Sequence, residues 1–123
     1  MPGHLGIEFL EAEDGFIKGK MPVDERTKQP FGLLHGGAAV TLAETLASAG
    51  AMLSTDKEKT EVRAATLTAH YIGAVRRNNV YGEAKRIHQG KMSQVWDVAI
   101  LDEGGYRIAE VRITVHQIPR KTE

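Results

Sequence analysis

The sequence predicts an α+β fold in which one long helix lies along a curved antiparallel sheet. Three observations lead there. Residues 36–55 carry a single formal charge, Glu44, within a run of alanine, leucine and methionine, all good helix formers. The segments on either side of that run read as strands separated by glycine- and asparagine-bearing turns. In the last of them, Ala109, Val111, Ile113 and Val115 alternate with Glu110, Arg112, Thr114 and His116, which is the period-two pattern of a strand with one buried face.

In chain order, residues 6–11 and 16–23 form two strands around Glu13-Asp14-Gly15, an Asp-Gly hairpin signal. A charged connection follows. Pro30, Gly32, Gly36 and Gly37 then turn the chain sharply into the helix, because proline lacks a donor and glycine accepts unusual dihedrals. The helix runs to about Ser54, with apolar residues nearly all round, as in a buried helix. Only Gly50 opposes it. After a charged loop, residues 62–72, 80–88, 91–101 and 106–118 are strands, with turns at Asn78-Asn79, Gln89-Gly90 and 102–105. Short turns imply antiparallel neighbours, and a lone helix of such apolar girth must be wrapped by the sheet. Too few strands remain to close a barrel around it, which favours a dimer.

The whole chain, residues 1–123, reads as one domain, and its 41% hydrophobic content suffices for a core. Sixteen acidic and sixteen basic side chains cancel, giving no reason for a nucleic-acid or anionic-membrane partner. Absence of cysteine excludes disulfides and thiolate zinc sites and points to a cytoplasmic location. Neither a secretion signal nor a membrane span is expected from the amino-terminal residues or the helix. His4, His35, His70, His88 and His116 show no metal-ligand spacing with carboxylates, so no metal is expected.

The chemistry clusters near the helix. His35-Gly36-Gly37 stands where it begins, and the first helical N–H groups are unpartnered and partly positive. Glycine lets a ligand oxygen approach such groups, so this is either an oxyanion site or a plain turn. A lone carboxylate on an apolar helix, Glu44, is costly to desolvate and is either well bonded or kept for reaction. Glu44 lies eight residues beyond Gly36, roughly 12 Å along the axis. One reacting carbonyl cannot reach both, so either they are unrelated or the site joins Gly36 of one chain to Glu44 of another. Ser48 is one turn beyond Glu44 on the same face and could hold a water there or bond back to its own helix.

The stretches Met21-Pro22-Val23-Asp24, Gln29-Pro30-Phe31-Gly32-Leu33-Leu34-His35-Gly36-Gly37 with Glu44 following, and Gln94-Val95-Trp96-Asp97-Val98 resemble those of hotdog-fold acyl-CoA thioesterases. The similarity is greatest to the branch of 1,4-dihydroxy-2-naphthoyl-CoA hydrolases and 4-hydroxybenzoyl-CoA thioesterases, and it covers nearly the whole chain. It implies hydrolysis of an acyl-CoA with an aromatic or bulky acyl group, Glu44 serving as catalytic carboxylate. The Gly36 amide and Gln29 would polarise the thioester carbonyl, His35 would shape that pocket or assist the departing thiolate, and Ser48 would position water. It further implies a homodimer with shared active sites, a dimer of dimers, and no cofactor, since coenzyme A is part of the substrate.

By the same resemblance Tyr71, Ile72, Gly73 and Ala74 would line the pantetheine channel. His88, Gln89, Gly90, Lys91 and Ser93 would meet the nucleotide, with Arg76, Arg77, Lys85 and Arg86 adding charge. The acyl pocket would be lined by Leu46, Ala49 and Met52. One departure stands out: kin often carry Asn-His, an apolar residue and Arg where this chain reads His70-Tyr71-Ile72-Gly73, leaving His70 or Tyr71 to fill the histidine position. Two other readings stay open, a non-catalytic acyl-CoA-binding module and an enoyl-CoA hydratase. The presence of Glu44 speaks against the first, and the lack of a histidine near it in sequence against the second.

Overall fold

Gly15, at φ 82°, closes the first hairpin, β1 (Glu8–Glu13) with β2 (Phe16–Pro22). The computed structural model describes residues 2–121, with side chains described from His4 onward. A four-residue helix, α1 (Pro2–Leu5), precedes the hairpin; it is too short to leave a periodic signal in sequence. The long helix α2 (Gly36–Leu53) follows, then β3 (Thr60–Tyr71), β4 (Asn79–Gln89), β5 (Ser93–Leu101) and β6 (Arg107–Pro119). No described helix is long and apolar enough to cross a membrane.

The six strands form one antiparallel sheet in the order β1-β2-β4-β5-β6-β3. Sequential hairpins join β1 to β2, β4 to β5 and β5 to β6, as the short turns imply. β3 and β4 are the exception. Asn78 does turn the chain, at φ 69°, yet β3 pairs with β6 and β4 with β2. The connection 72–78 carries the chain from one edge of the sheet to its interior, where β4 takes the free side of β2. β3, twelve residues long, keeps an unpaired outer edge.

The helix buries one face against this sheet. Ala38, Ala39, Leu42, Ala43, Leu46, Ala47, Gly50 and Ala51 recur with the i, i+4 spacing of a single stripe. They pack on Ile17, Met21, Val80, Trp96, Val98, Ile100 and Ile113, all buried. Gly50 is required by closeness: a Cβ there would lie 2.4 Å from the Trp96 ring. Leu46 lies across two strands, its methyls 2.7 and 2.5 Å from where Gly19 and Gly82 would carry a Cβ. Leu46 is thus a core residue, not part of a substrate pocket. The expectation of a helix buried all round is also corrected, because the sheet covers only one stripe. Glu44 and Met52 stand exposed on the other side, with Val40, Thr41, Thr45, Ser48 and Ala49 half-buried.

Candidate active site at the two ends of the helix

The loop before the helix is held by its own polar groups. Thr27, 1% exposed, donates its hydroxyl to Pro22 O at 2.9 Å and accepts from Asp24 N at 3.1 Å. The Asp24 carboxylate takes the Arg26 guanidinium at 2.7 Å, and that hydrogen bond holds its pKa below the ordinary value. Backbone bonds from His35 N to Thr27 O (2.6 Å) and from Leu34 N to Val75 O (2.8 Å) pin the loop beneath the strand connection.

These constraints deliver His35 to the N-cap. Its backbone is extended, φ −70° and ψ 131°, and its Nδ1 accepts from Gly37 N at 2.9 Å. Nδ1 must therefore be unprotonated, which leaves the ring proton on Nε2. Ala38 N and Ala39 N bond to His35 O. The Gly36 N–H donates to nothing among the described residues. Gln29 uses its Oε1 on Phe31 N (2.6 Å) and Leu33 N (3.2 Å), and its Nε2 meets no acceptor among the described residues. Gly36 and Gln29 both border one groove of about 280 Å³, lined also by Leu33, Leu34, Ala39, Tyr71, Gly73, Ala74, Val75 and Ile108. The Tyr71 ring lies directly on Gly36, 2.9 Å from the position a Cβ would take.

His70 goes elsewhere. It opposes Glu110 across the sheet and borders an outer-face cavity with Thr68, Asp97 and Arg112. Side chains alternate along a strand, so His70 and Tyr71 must face opposite ways, and Tyr71 is the one at the helix. Ile72 is 59% exposed beside the groove and does not line it.

Glu44 occupies a different pocket, of about 350 Å³, with Phe9, Thr45, Ser48, Ala49 and Met52. Ser48 and Glu44 are together, as their spacing requires. The pocket shares no residue with the Gly36 groove. Within one chain the carboxylate is exposed and not desolvated. Phe9 was not anticipated, since nothing local marks a strand residue as the neighbour of a distant helix.

The turn after β4 is at the far end of the helix. Gly90 N donates to Ser93 O at 2.8 Å, and Gln89 borders a cleft of about 720 Å³ with Leu53, Ser54, Thr55 and Arg86. His88 packs over Gly90, while Lys91 and Met92 are exposed and Ser93 is half-buried. Tyr71–Ala74 and His88–Ser93 are therefore apart in a single chain. The four basic residues do not cluster either. Arg76 and Arg77 border a shallow pocket with Asp102 and Glu103, Lys85 faces Asp97 across the sheet, and Arg86 pairs with Asp14 at 2.9 Å.

A family model described as "Thioesterase superfamily" matches residues 31–117. The chain is similar to the proofreading thioesterase EntH of Klebsiella pneumoniae, 42% identical over 92% of this chain and 82% of that protein. It is equally similar to the 1,4-dihydroxy-2-naphthoyl-CoA hydrolase of Escherichia coli, 42% identical over 93% of this chain and 83% of that one. Among solved structures, a mutant thioesterase of Pseudomonas aeruginosa superposes with a TM-score of 0.94 at 35% identity, covering 97% of this chain and 86% of the other. A Haemophilus influenzae thioesterase gives 0.91 at 36% identity, covering 96% and 82%.

Proposed function

The chain belongs to the thioesterase superfamily and is a thioester hydrolase of hotdog fold, and from that premise we propose that it hydrolyses acyl-CoA at sites shared by two chains. The observation that carries the reading is the split of the chemistry. An unpartnered Gly36 N–H and the Gln29 amide border one groove, and Glu44 with Ser48 occupies another on the open face of the same helix. Two copies with α2 antiparallel would bring the groove of one against the carboxylate of the other. The unpaired edge of β3 and the exposed Leu67, Tyr71, Ile72, Met52 and Phe9 support such a partner. The same pairing would set Tyr71–Ala74 of one chain beside the turn 88–93 of its partner, giving the coenzyme one path.

In this arrangement the thioester oxygen accepts from Gly36 N–H and Gln29 Nε2 while Glu44 acts on the carbonyl carbon. It either attacks directly, giving an anhydride that water then hydrolyses to release the acid and free the carboxylate, or takes a proton from a water held by Ser48, which adds to the carbon. Negative charge collects on the oxygen, stabilised by the helix N-terminus, and the tetrahedral species collapses by breaking the C–S bond. Coenzyme A leaves as a thiolate, a good leaving group that needs little acid assistance. His35 shapes the oxyanion end, since its Nδ1 is committed to Gly37.

An aromatic or bulky acyl group is the proposed substrate, supported by the Escherichia coli relative, whose name specifies an aromatic acyl-CoA. The reading takes residues 1–123 as one domain working in the cytoplasm, as a dimer of dimers, without metal or cofactor. A thiol-release screen over aromatic, short-chain and long-chain acyl-CoAs tests it, run with wild type and Glu44→Gln. Release by wild type, fastest with aromatic esters and lost in the variant, is expected. Turnover by Glu44→Gln near the wild-type rate would remove the carboxylate from its role.

A further inference from the structure

We propose that Gln117 is a positioning residue that holds the turn 90–93 in the shape that receives the nucleotide end of the coenzyme. This rests on reading that turn as a coenzyme contact. Gln117 lies on β6, remote in sequence from the turn, and commits both ends of its side-chain amide on and around it. Its Nε2 donates to Gly90 O at 2.9 Å and Lys91 O at 3.2 Å. Its Oε1 accepts from Gln94 Nε2 at 2.9 Å and from Gln89 Nε2 at 3.0 Å. Its backbone N–H takes Met92 O at 2.8 Å.

The support behind it is buried. Gln94 is fully enclosed, donates also to Ser54 Oγ at 2.9 Å, and accepts from Trp96 Nε1 at 2.9 Å. A buried amide bonded at both ends is rigid, because any displacement would leave a polar group unpaired. The hydrogen bonds thus run from the turn through β6 and β5 to the C-cap of α2.

The consequence lies on the other side of the turn. Three successive carbonyls, those of Gly90, Lys91 and Met92, are engaged by Gln117. The Lys91 and Met92 N–H groups donate to nothing among the described residues. A hairpin needs no such clamp, since Gly90 N to Ser93 O already closes it. What the clamp adds is a fixed set of free amides in a turn that also carries the exposed Lys91 and the half-buried Ser93, residue types that suit a phosphate.

The test compares Gln117→Met and Gln117→Leu, both uncharged and of similar size, on two thioesters of one acyl group: the CoA ester and the N-acetylcysteamine ester, which lacks the nucleotide. Lys91→Ala is measured beside them. With the clamp lost, KM for the CoA ester is expected to rise about tenfold, the loss of roughly one or two hydrogen bonds. kcat and the KM of the truncated ester should stay within about twofold. A KM rise shared by both esters would overturn the proposal, since it would mark a merely structural residue. Selective loss in Lys91→Ala but none in the Gln117 variants would overturn the clamp and leave the coenzyme reading of the turn standing. No selective loss in any of the three would overturn both.

Discussion

Replacing Gly36 with proline removes one N–H from the candidate site while leaving the helix start intact. Gly36 is the first residue of α2, where proline is tolerated because that N–H has no helical partner. His35 already has the extended backbone, φ −70° and ψ 131°, that a residue before proline adopts. Any side chain at this position presses on Tyr71, 2.9 Å from the Cβ position, so Gly36→Ala is the control that adds the contact and keeps the donor. Loss of one oxyanion donor costs about a hundredfold to a thousandfold in kcat, and the proline variant should fall that far below the alanine one. Glu44→Gln alone should lose about a hundredfold to ten-thousandfold. Gly36 and Glu44 are eight residues apart on one helix, about 12 Å at ~1.5 Å per residue. Mixing the two inactive chains then distinguishes the geometries. If each site joins two chains, half the dimers are mixed, and each holds one doubly defective site and one intact site. Refolding an equal mixture should restore about a quarter of wild-type activity, by the symmetry of the pair. If one chain supplied both groups, every site would carry a defect. Native mass spectrometry confirming mixed dimers, with activity still at the level of the parents, would refute the shared site.

Further expectations concern stability and assembly. Gly50→Ala forces a methyl to 2.4 Å from the buried Trp96 ring and should cost about 1–3 kcal/mol by thermal or denaturant unfolding. Leu46→Ala empties the space over Gly19 and Gly82 and should cost about 2–5 kcal/mol, with no change in KM for the molecules that remain folded. Arg26 lowers the Asp24 pKa below 3.8, so the pair stabilises the folded chain above that value and its contribution fades as the pH falls through the lowered one. Acid titration of Asp24→Asn should show a flatter acid limb than wild type. Leu67→Lys, on the exposed inner side of β3, should shift sedimentation toward the monomer and lower activity in parallel.

Much of the fold is legible residue by residue. The helix follows from an alanine-rich run, the first hairpin from Asp14-Gly15, and β6 from strict alternation between Ala109 and His116. The neighbours are not legible. β3 reads as a strand in isolation, but its backbone would bond equally well to β4 or β6, and the turn at Asn78 suggests the wrong one. The coarse chemistry is also visible, because one carboxylate in a run without other charges draws notice whatever surrounds it. Its environment is not visible: the composition around Glu44 suggests enclosure, whereas the sheet covers the opposite stripe of the helix.

By itself, then, the sequence determined the long helix and the six strands, the Asp-Gly turn, and the residue types available for acting on a thioester, since these depend on spacing and side-chain chemistry along a few adjacent positions. The tertiary structure alone decided that Leu46 packs into the core, that Tyr71 and not His70 lies on Gly36, that Phe9 borders the Glu44 pocket, and that Gln117 reaches a turn 26 and 27 residues before it. Period and propensity specify which way a side chain points from its own backbone. What it meets there depends on strand order and close packing, which are settled only when distant segments compete for the same partner.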